Sequence, residues 1–289
     1  MKKIVIATRL SELAMYQATV VKNRLKSLFD VDPQLTIFDS KGDRDHRSFE
    51  DINETGIFTN EINTHVMNEI ADIAVHSLKD LPALLDPSLE IAAILKRGEV
   101  EDALISDKPL QDLHNELIGT SSIRRKSFLG YIKPDLRFTD IRGNVPTRIN
   151  KYKHGEVNAL VLALAGIRRL NVNIPYFVLD KHIFVPQANQ GFIAVVTKSN
   201  SKHSKELFKM LSKIDDKNSR IVAELERSVM VFLKAGCHSP VGIYSWIEFD
   251  KIFLHVSEIE KNGEYRRDLW LSERIKNRSK LIDKLEKSW

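Results

Sequence analysis

Short runs of β-branched and aliphatic residues recur along this chain, separated by helix-patterned stretches, and that rhythm limits the folds it can adopt. Ile4-Val5-Ile6-Ala7 precedes a periodic segment from Ala14 to Leu28, which leads into Leu35-Thr36-Ile37-Phe38. Asp72-Ile73-Ala74-Val75, Glu90-Ile91-Ala92-Ala93-Ile94 and, after a break, Ala159-Leu160-Val161-Leu162-Ala163 continue the series. Such alternation predicts βα units around largely parallel sheets, with functional loops at the strand ends. Lys96 to Glu99 and Pro186 to Gly191 are the expected crossing points between two doubly wound α/β lobes, with ligand in the cleft between them. The predicted division is lobe 1 from 1–95 with 192–212, lobe 2 from 96–191, and a small α+β domain over 213–289. The last is expected to hold a helix from Ser219 to Phe232, a loop, strands at Ile243–Phe249 and Ile252–Val256, and a C-terminal helix from about Ser272. There is no internal repeat or low-complexity segment.

With 289 residues and 43% hydrophobic content the chain can bury sizeable cores, which excludes a disordered protein. Its formal charge of +5 favours anionic ligands but is too small an excess to demand nucleic acid, and no aromatic-interleaved basic patch is present. No apolar run reaches the roughly 20 residues of a membrane span, and Met1-Lys2-Lys3 leads straight into a strand rather than a signal peptide. A cytoplasmic protein without a membrane or nucleic-acid partner is therefore expected. The single cysteine, Cys237, excludes an internal disulfide and cannot alone make a thiolate metal site, so no metal is expected. It lies in Lys234-Ala235-Gly236-Cys237-His238-Ser239-Pro240-Val241-Gly242, whose Gly and Pro punctuation marks a loop. Two readings stay open there: a thiol activated by Lys234 and His238 as nucleophile or attachment point, or a small buried hydrophobe.

Two corners suggest anion binding. Leu117-Ile118-Gly119-Thr120-Ser121-Ser122-Ile123-Arg124-Arg125 places small hydroxyls and adjacent arginines where a strand turns into a helix, whose N-terminal N–H groups can cradle carboxylate or phosphate. Asp140-Ile141-Arg142-Gly143-Asn144-Val145-Pro146-Thr147-Arg148 repeats the pattern. The alternative is that Ser121 and Ser122 merely cap a helix whose arginines are solvated. A third cluster, Asp72 through His76-Ser77-Leu78-Lys79-Asp80-Leu81-Pro82, runs from a strand into a polar turn. Asp80 there has the makings of a carboxylate that accepts N–H groups and moves protons, or it pairs with Lys79 or caps the next turn. His76 is read as a structural hydrogen-bonder.

In joint order these segments, with Ala7-Thr8-Arg9-Leu10-Ser11-Glu12-Leu13-Ala14 and Ala165-Gly166-Ile167-Arg168-Arg169-Leu170, resemble the porphobilinogen deaminase (hydroxymethylbilane synthase) family over nearly the whole chain. The resemblance implies two periplasmic-binding-protein-like lobes plus a small C-terminal α+β domain. It also implies a transferase of porphyrin and haem biosynthesis, cytoplasmic and monomeric, that condenses four porphobilinogens head to tail with loss of ammonia and releases hydroxymethylbilane. The primer is a dipyrromethane cofactor, one per chain, tethered by a thioether that falls on Cys237. Asp80 matches the catalytic aspartate. Lys79, Ser77, Thr120, Ser121, Ser122, Arg124, Arg125 and Arg148 match cofactor-binding positions. Arg9, Ser11, Arg142, Arg169 and Gln190 match substrate-binding ones. Arginines spread over several loops suit a growing chain of acetate- and propionate-bearing pyrroles, because a planar fork binds carboxylate bidentately. A two-lobed anion-binding protein without enzymatic activity is the alternative on the same fold.

The chain departs from the family pattern at Glu54-Thr55-Gly56-Ile57-Phe58-Thr59-Asn60-Glu61, where two lysines are replaced and Lys41 is a candidate to compensate. Pro146 stands for a glycine before Thr147-Arg148, fixing φ and removing an N–H. Asn189 stands for a glycine before Gln190-Gly191, and asparagine tolerates positive φ. Glu12 occupies a position where proline is common.

Overall fold

The computed structural model describes residues 2–38, 57–199, 204–236, 239–260 and 263–289. The chain opens with β1 (Lys2–Arg9), α1 (Glu12–Leu28), β2 (Val31–Phe38), α2 (Ile57–Met67), β3 (Ile73–Ser77) and β4 (Leu89–Ile94). A second stretch holds β5 (Asp102–Ile105), β6 (Leu117–Gly119), α3 (Ile123–Ile132), β7 (Arg137–Thr139), α4 (Val145–Lys153), β8 (Ala159–Ala163), α5 (Leu164–Arg169) and β9 (Phe177–Val178). The remainder is β10 (Ile193–Lys198), α6 (Ser204–Ile214), α7 (Lys217–Phe232), β11 (Val241–Glu248), β12 (Lys251–Ile259), β13 (Arg266–Arg274) and α8 (Lys280–Ser288). The class is α/β, and the chain forms two compact units, residues 1–98 with 191–220 and residues 99–190 with 221–289.

The first unit is built on a sheet of order β2-β1-β3-β10-β4. Its first three strands are parallel, as βα units dictate. β10 runs antiparallel to both neighbours, pairing Val195 with Val75 and with Ala93. A strand that enters a sheet from a distant segment has no crossover helix to fix its direction, so the expected largely parallel sheet is mixed at this edge. α1 begins where Ser11 accepts a hydrogen bond from the Ala14 N–H (3.3 Å), and Glu12 puts negative charge in the first turn, where the dipole favours it. Its buried stripe of Ala18, Val21 and Leu25 packs with Ile4, Ile6, Ile73, Val75 and Val195.

The second unit carries a sheet of order β7-β6-β8-β5-β9, in which β6 is parallel to β7 and β8 while β5 opposes β8 and β9. The same unit contains an antiparallel meander, β11-β12-β13. Tyr244 and Ile259 of the meander share one core with Phe128, Phe184 and Val185. The helix expected from Ser272 does not start there. β13 continues to Arg274, paired to β12 along its full length, and α8 begins at Lys280. Leu269 and Leu271 alternate with outward residues as a strand requires, but the surrounding charges of an edge strand masked that period.

Candidate active site

In the first unit, β3 is buried until Ser77, and a single 3-10 turn, Leu78–Asp80, ends it. Buried Leu78 and Leu81 pin the turn, with the Leu78 N–H donating to the Phe192 carbonyl (3.1 Å) and the Leu81 N–H to the Leu78 carbonyl (3.2 Å). Lys79 and Asp80 are thereby held half-exposed between two anchored apolar residues. Asp80 lines a pocket with Arg9, Ser11, Gln17, Thr59 and His76. Arg9 is the last residue of β1 and Ser11 the N-cap of α1, so one strand-to-helix corner delivers both.

Two supporting partners escaped sequence reasoning. Buried Gln17 donates from Nε2 to Ser77 Oγ at 2.7 Å, which fixes that hydroxyl. His76 Nε2 lies 2.9 Å from Asn63 Oδ1, so this nitrogen carries the proton. Burial first, and then the charge of Arg9, pull His76 from its ordinary 6.5 down to about 3, so the ring stays neutral. A polar residue inside the apolar stripe of α1 was the available signal for Gln17; nothing in the sequence pairs Asn63 with His76.

In the second unit, the corner after β6 is a helix N-terminus. Ser122 is the N-cap of α3 and accepts from the Arg125 N–H at 3.4 Å, while Ser121 Oγ donates to the Ile141 carbonyl (2.9 Å) and accepts from the Ile141 N–H (3.1 Å). The Thr120 hydroxyl accepts from the Ser122 N–H at 3.2 Å. A Cβ at Gly119 would meet the Ile141 and Val157 side chains at 3.2 Å, so glycine lets them pack close to the strand end. Neither open reading of the arginines describes them fully, since Arg124 and Arg125 are buried rather than solvated. Both donate to Asp102, Arg125 from Nη2 at 2.6 Å, and they also reach the Val185 (2.8 Å) and Val161 (3.0 Å) carbonyls.

Gln190 is likewise turned inward, donating to the Val100 carbonyl (2.8 Å) and Asp102 Oδ1 (3.1 Å). Arg148 sits in the first turns of α4 and donates from Nε to the Gly143 carbonyl at 2.7 Å. Gly143 has φ +106 and Asn144 caps the helix, so Pro146 falls in a first turn where a missing N–H costs nothing. Arg142 is half-buried just ahead of that helix, and Arg169 ends α5. Asn189 does adopt the left-handed region, φ 62, and its N–H donates to the fully buried Glu226 at 2.6 Å.

Cys237, His238, Lys41, Thr55 and the stretch 44–56 lie outside the described residues. Gly236 and Ser239, which flank Cys237 and His238 in sequence, are joined by two hydrogen bonds of 3.0 and 3.1 Å. Among the described residues no cluster of His, Cys, Asp and Glu could hold a metal, and no helix is long and apolar enough to cross a membrane.

Comparison with known proteins bears on what these groups serve. Residues 4–206 match the family model "Porphobilinogen deaminase, dipyromethane cofactor binding domain". The chain is 40% identical over 263 residues to the probable porphobilinogen deaminase of Picrophilus torridus, covering 90% of each. It is 43% identical over 244 residues to that of Saccharolobus islandicus, covering 83% of this chain and 81% of the relative. Against the Thermoplasma volcanium protein the figures are 42% over 245 residues, with 84% and 81% covered. On the matched family model and on relatives of this identity spanning most of both sequences, the chain belongs to the porphobilinogen deaminase family.

Proposed function

We propose that this chain joins four porphobilinogens head to tail, with loss of ammonia at each step, on a dipyrromethane held by a thioether to Cys237, and then frees hydroxymethylbilane by hydrolysis. Family membership supplies the enzyme class, hydroxymethylbilane synthase, the cofactor and the setting in tetrapyrrole biosynthesis. The donor set suits a dipyrrole bearing acetate and propionate groups. Thr120, Ser121 and Ser122 lead into a helix N-terminus with its dipole and first N–H groups, Arg124 and Arg125 lie in its first turn, and Arg148 lies in the first turns of α4. When bound, dipyrromethane supplies the pyrrole carbon from which the chain grows.

The observation that carries the reading is the pocket of the first unit, which Asp80, Arg9 and Ser11 line together. Arg9 and Ser11 bind acid side chains of porphobilinogen there, and Arg142 and Arg169 of the second unit are proposed to serve the same class of group. Asp80 accepts the pyrrole N–H and opposes the positive charge that develops as the aminomethyl C–N bond breaks and ammonia leaves. After the new carbon–carbon bond forms, the same carboxylate receives the proton released from the attacked ring. Ser77, held by Gln17, and Lys79 flank it. The enzyme is proposed to act as a cytoplasmic monomer on this small molecule alone.

Asp80→Asn keeps the shape and loses the charge. It is expected to take up the cofactor, seen as added mass, while turnover of porphobilinogen falls about 10²- to 10⁴-fold, the usual range for a lost acid–base group. Turnover at the unaltered rate would remove Asp80 from the mechanism.

A further inference from the structure

Asp102 opens β5 and is completely buried. Its two oxygens receive Arg124 Nη2 (2.5 Å), Arg125 Nη2 (2.6 Å) and Nε (3.2 Å), and Gln190 Nε2 (3.1 Å). Burial alone would raise its pKa, but the two guanidiniums outweigh this and hold the carboxyl well below the usual range, so it is ionised. Two buried arginines against one carboxylate leave an uncompensated positive charge. A buried cluster of this kind is weak evidence for stability, because apolar residues of similar volume commonly do as well or better. What the cluster does achieve is to lock two guanidinium planes. Arg124 is fixed between Asp102 and the Val185 carbonyl, and Arg125 between Asp102 and the Val161 carbonyl. Arg124 Nε is buried with no hydrogen-bond partner among the described residues, so the pair is not fully satisfied by Asp102 and the two carbonyls.

We infer that Asp102 is a positioning residue for cofactor capture, holding Arg124 and Arg125 at the start of α3 so that their one net positive charge favours a carboxylate of the incoming pyrroles. The inference rests on the proposal that this arginine pair serves the acid groups of dipyrromethane. Asp102 touches neither substrate nor cofactor and acts only through the arginines.

The test uses full-length apo chain made without porphobilinogen, then given porphobilinogen while intact mass reports loading over time. Asp102→Asn should load at least ten-fold more slowly and need a higher porphobilinogen concentration for half-maximal rate. Leu285→Ala, a core change beneath the meander, controls for lost stability and should load like the unaltered chain even with a similar fall in melting temperature. If Asp102→Asn does not fold, Asp102→Glu, which keeps the charge and shifts it by one methylene, is read the same way. Loading at the unaltered rate by the folded Asp102 variant, or equal slowing in the control, overturns the positioning role, as does failure of both Asp102 variants to fold. If the unaltered chain itself never gains mass, the deaminase reading fails and this inference with it. Normal loading by both the unaltered and Asp102→Asn chains sinks only the inference.

Discussion

His76 and Asp80 line the same pocket on opposite terms: the first is buried and neutral, the second half-exposed at the end of a pinned turn. His76 therefore carries a pH signature of its own. In the unfolded chain it takes a proton near 6.5, whereas in the folded chain it stays neutral down to about 3. Between those values the unfolded state binds the extra proton, so stability is full above 6.5 and falls as the pH drops, by about 1.4 kcal/mol per unit for this group. The urea midpoint of the unaltered chain should therefore fall more steeply below pH 6 than that of His76→Gln, and parallel curves would mean the ring is not buried neutral. Glu226 offers a second residue-scale test. It accepts from the Asn189 N–H, the Ser245 N–H (2.8 Å) and the Ser245 hydroxyl (3.0 Å), so Glu226→Ala strands buried donors and should cost about 3 kcal/mol in urea unfolding. A change under about 0.5 kcal/mol, the size of a surface substitution, would contradict that account. The polar turn that holds Asp80 was legible because it stands in a motif, whereas the settings of Asp102 and Glu226 were not. Their partners lie far along the chain, and sequence pattern reports neighbours, not such distant meetings.

Among the elements, the strands of the first βα repeats and the long helices α1 and α7 were readable from period and propensity. The direction of β5 and β10 was not, since antiparallel insertion leaves no mark in an apolar run. Departures from the family pattern are absorbed locally: Pro146 by a helix start, Asn189 by its left-handed φ of 62, Glu12 by a first turn. Gly242 makes the opposite point. A Cβ there would come within 2.5 Å of the Val185 carbonyl oxygen and 2.6 Å of Val185 Cβ, so β11 can approach only without a side chain. The same carbonyl receives Arg124, which links the strand following the cysteine loop to the arginine pair. Gly242→Ala should cost about 1–3 kcal/mol in thermal or urea unfolding and should slow cofactor loading. Unchanged stability would show that the backbone yields there at little cost.

For the molecule as a whole, the chain leaves its first unit at Gly98, returns at Gly191 and leaves again after Arg220, so each unit is made from separate stretches of sequence. Composition and rhythm announced the α/β class. The meander was only partly announced, because its third strand is an edge rich in charge, and its residues share a core with the second sheet that no local pattern reveals. The central claim concerns the covalent primer, and intact mass of the purified chain beside Cys237→Ala, each after incubation with porphobilinogen, tests it most directly. The account predicts an excess equal to two porphobilinogens less two ammonias on the unaltered chain and a bare mass for the variant. A bare mass for both, with no pyrrole colour in an aldehyde test, would contradict it and point to an anion-binding protein on the same scaffold.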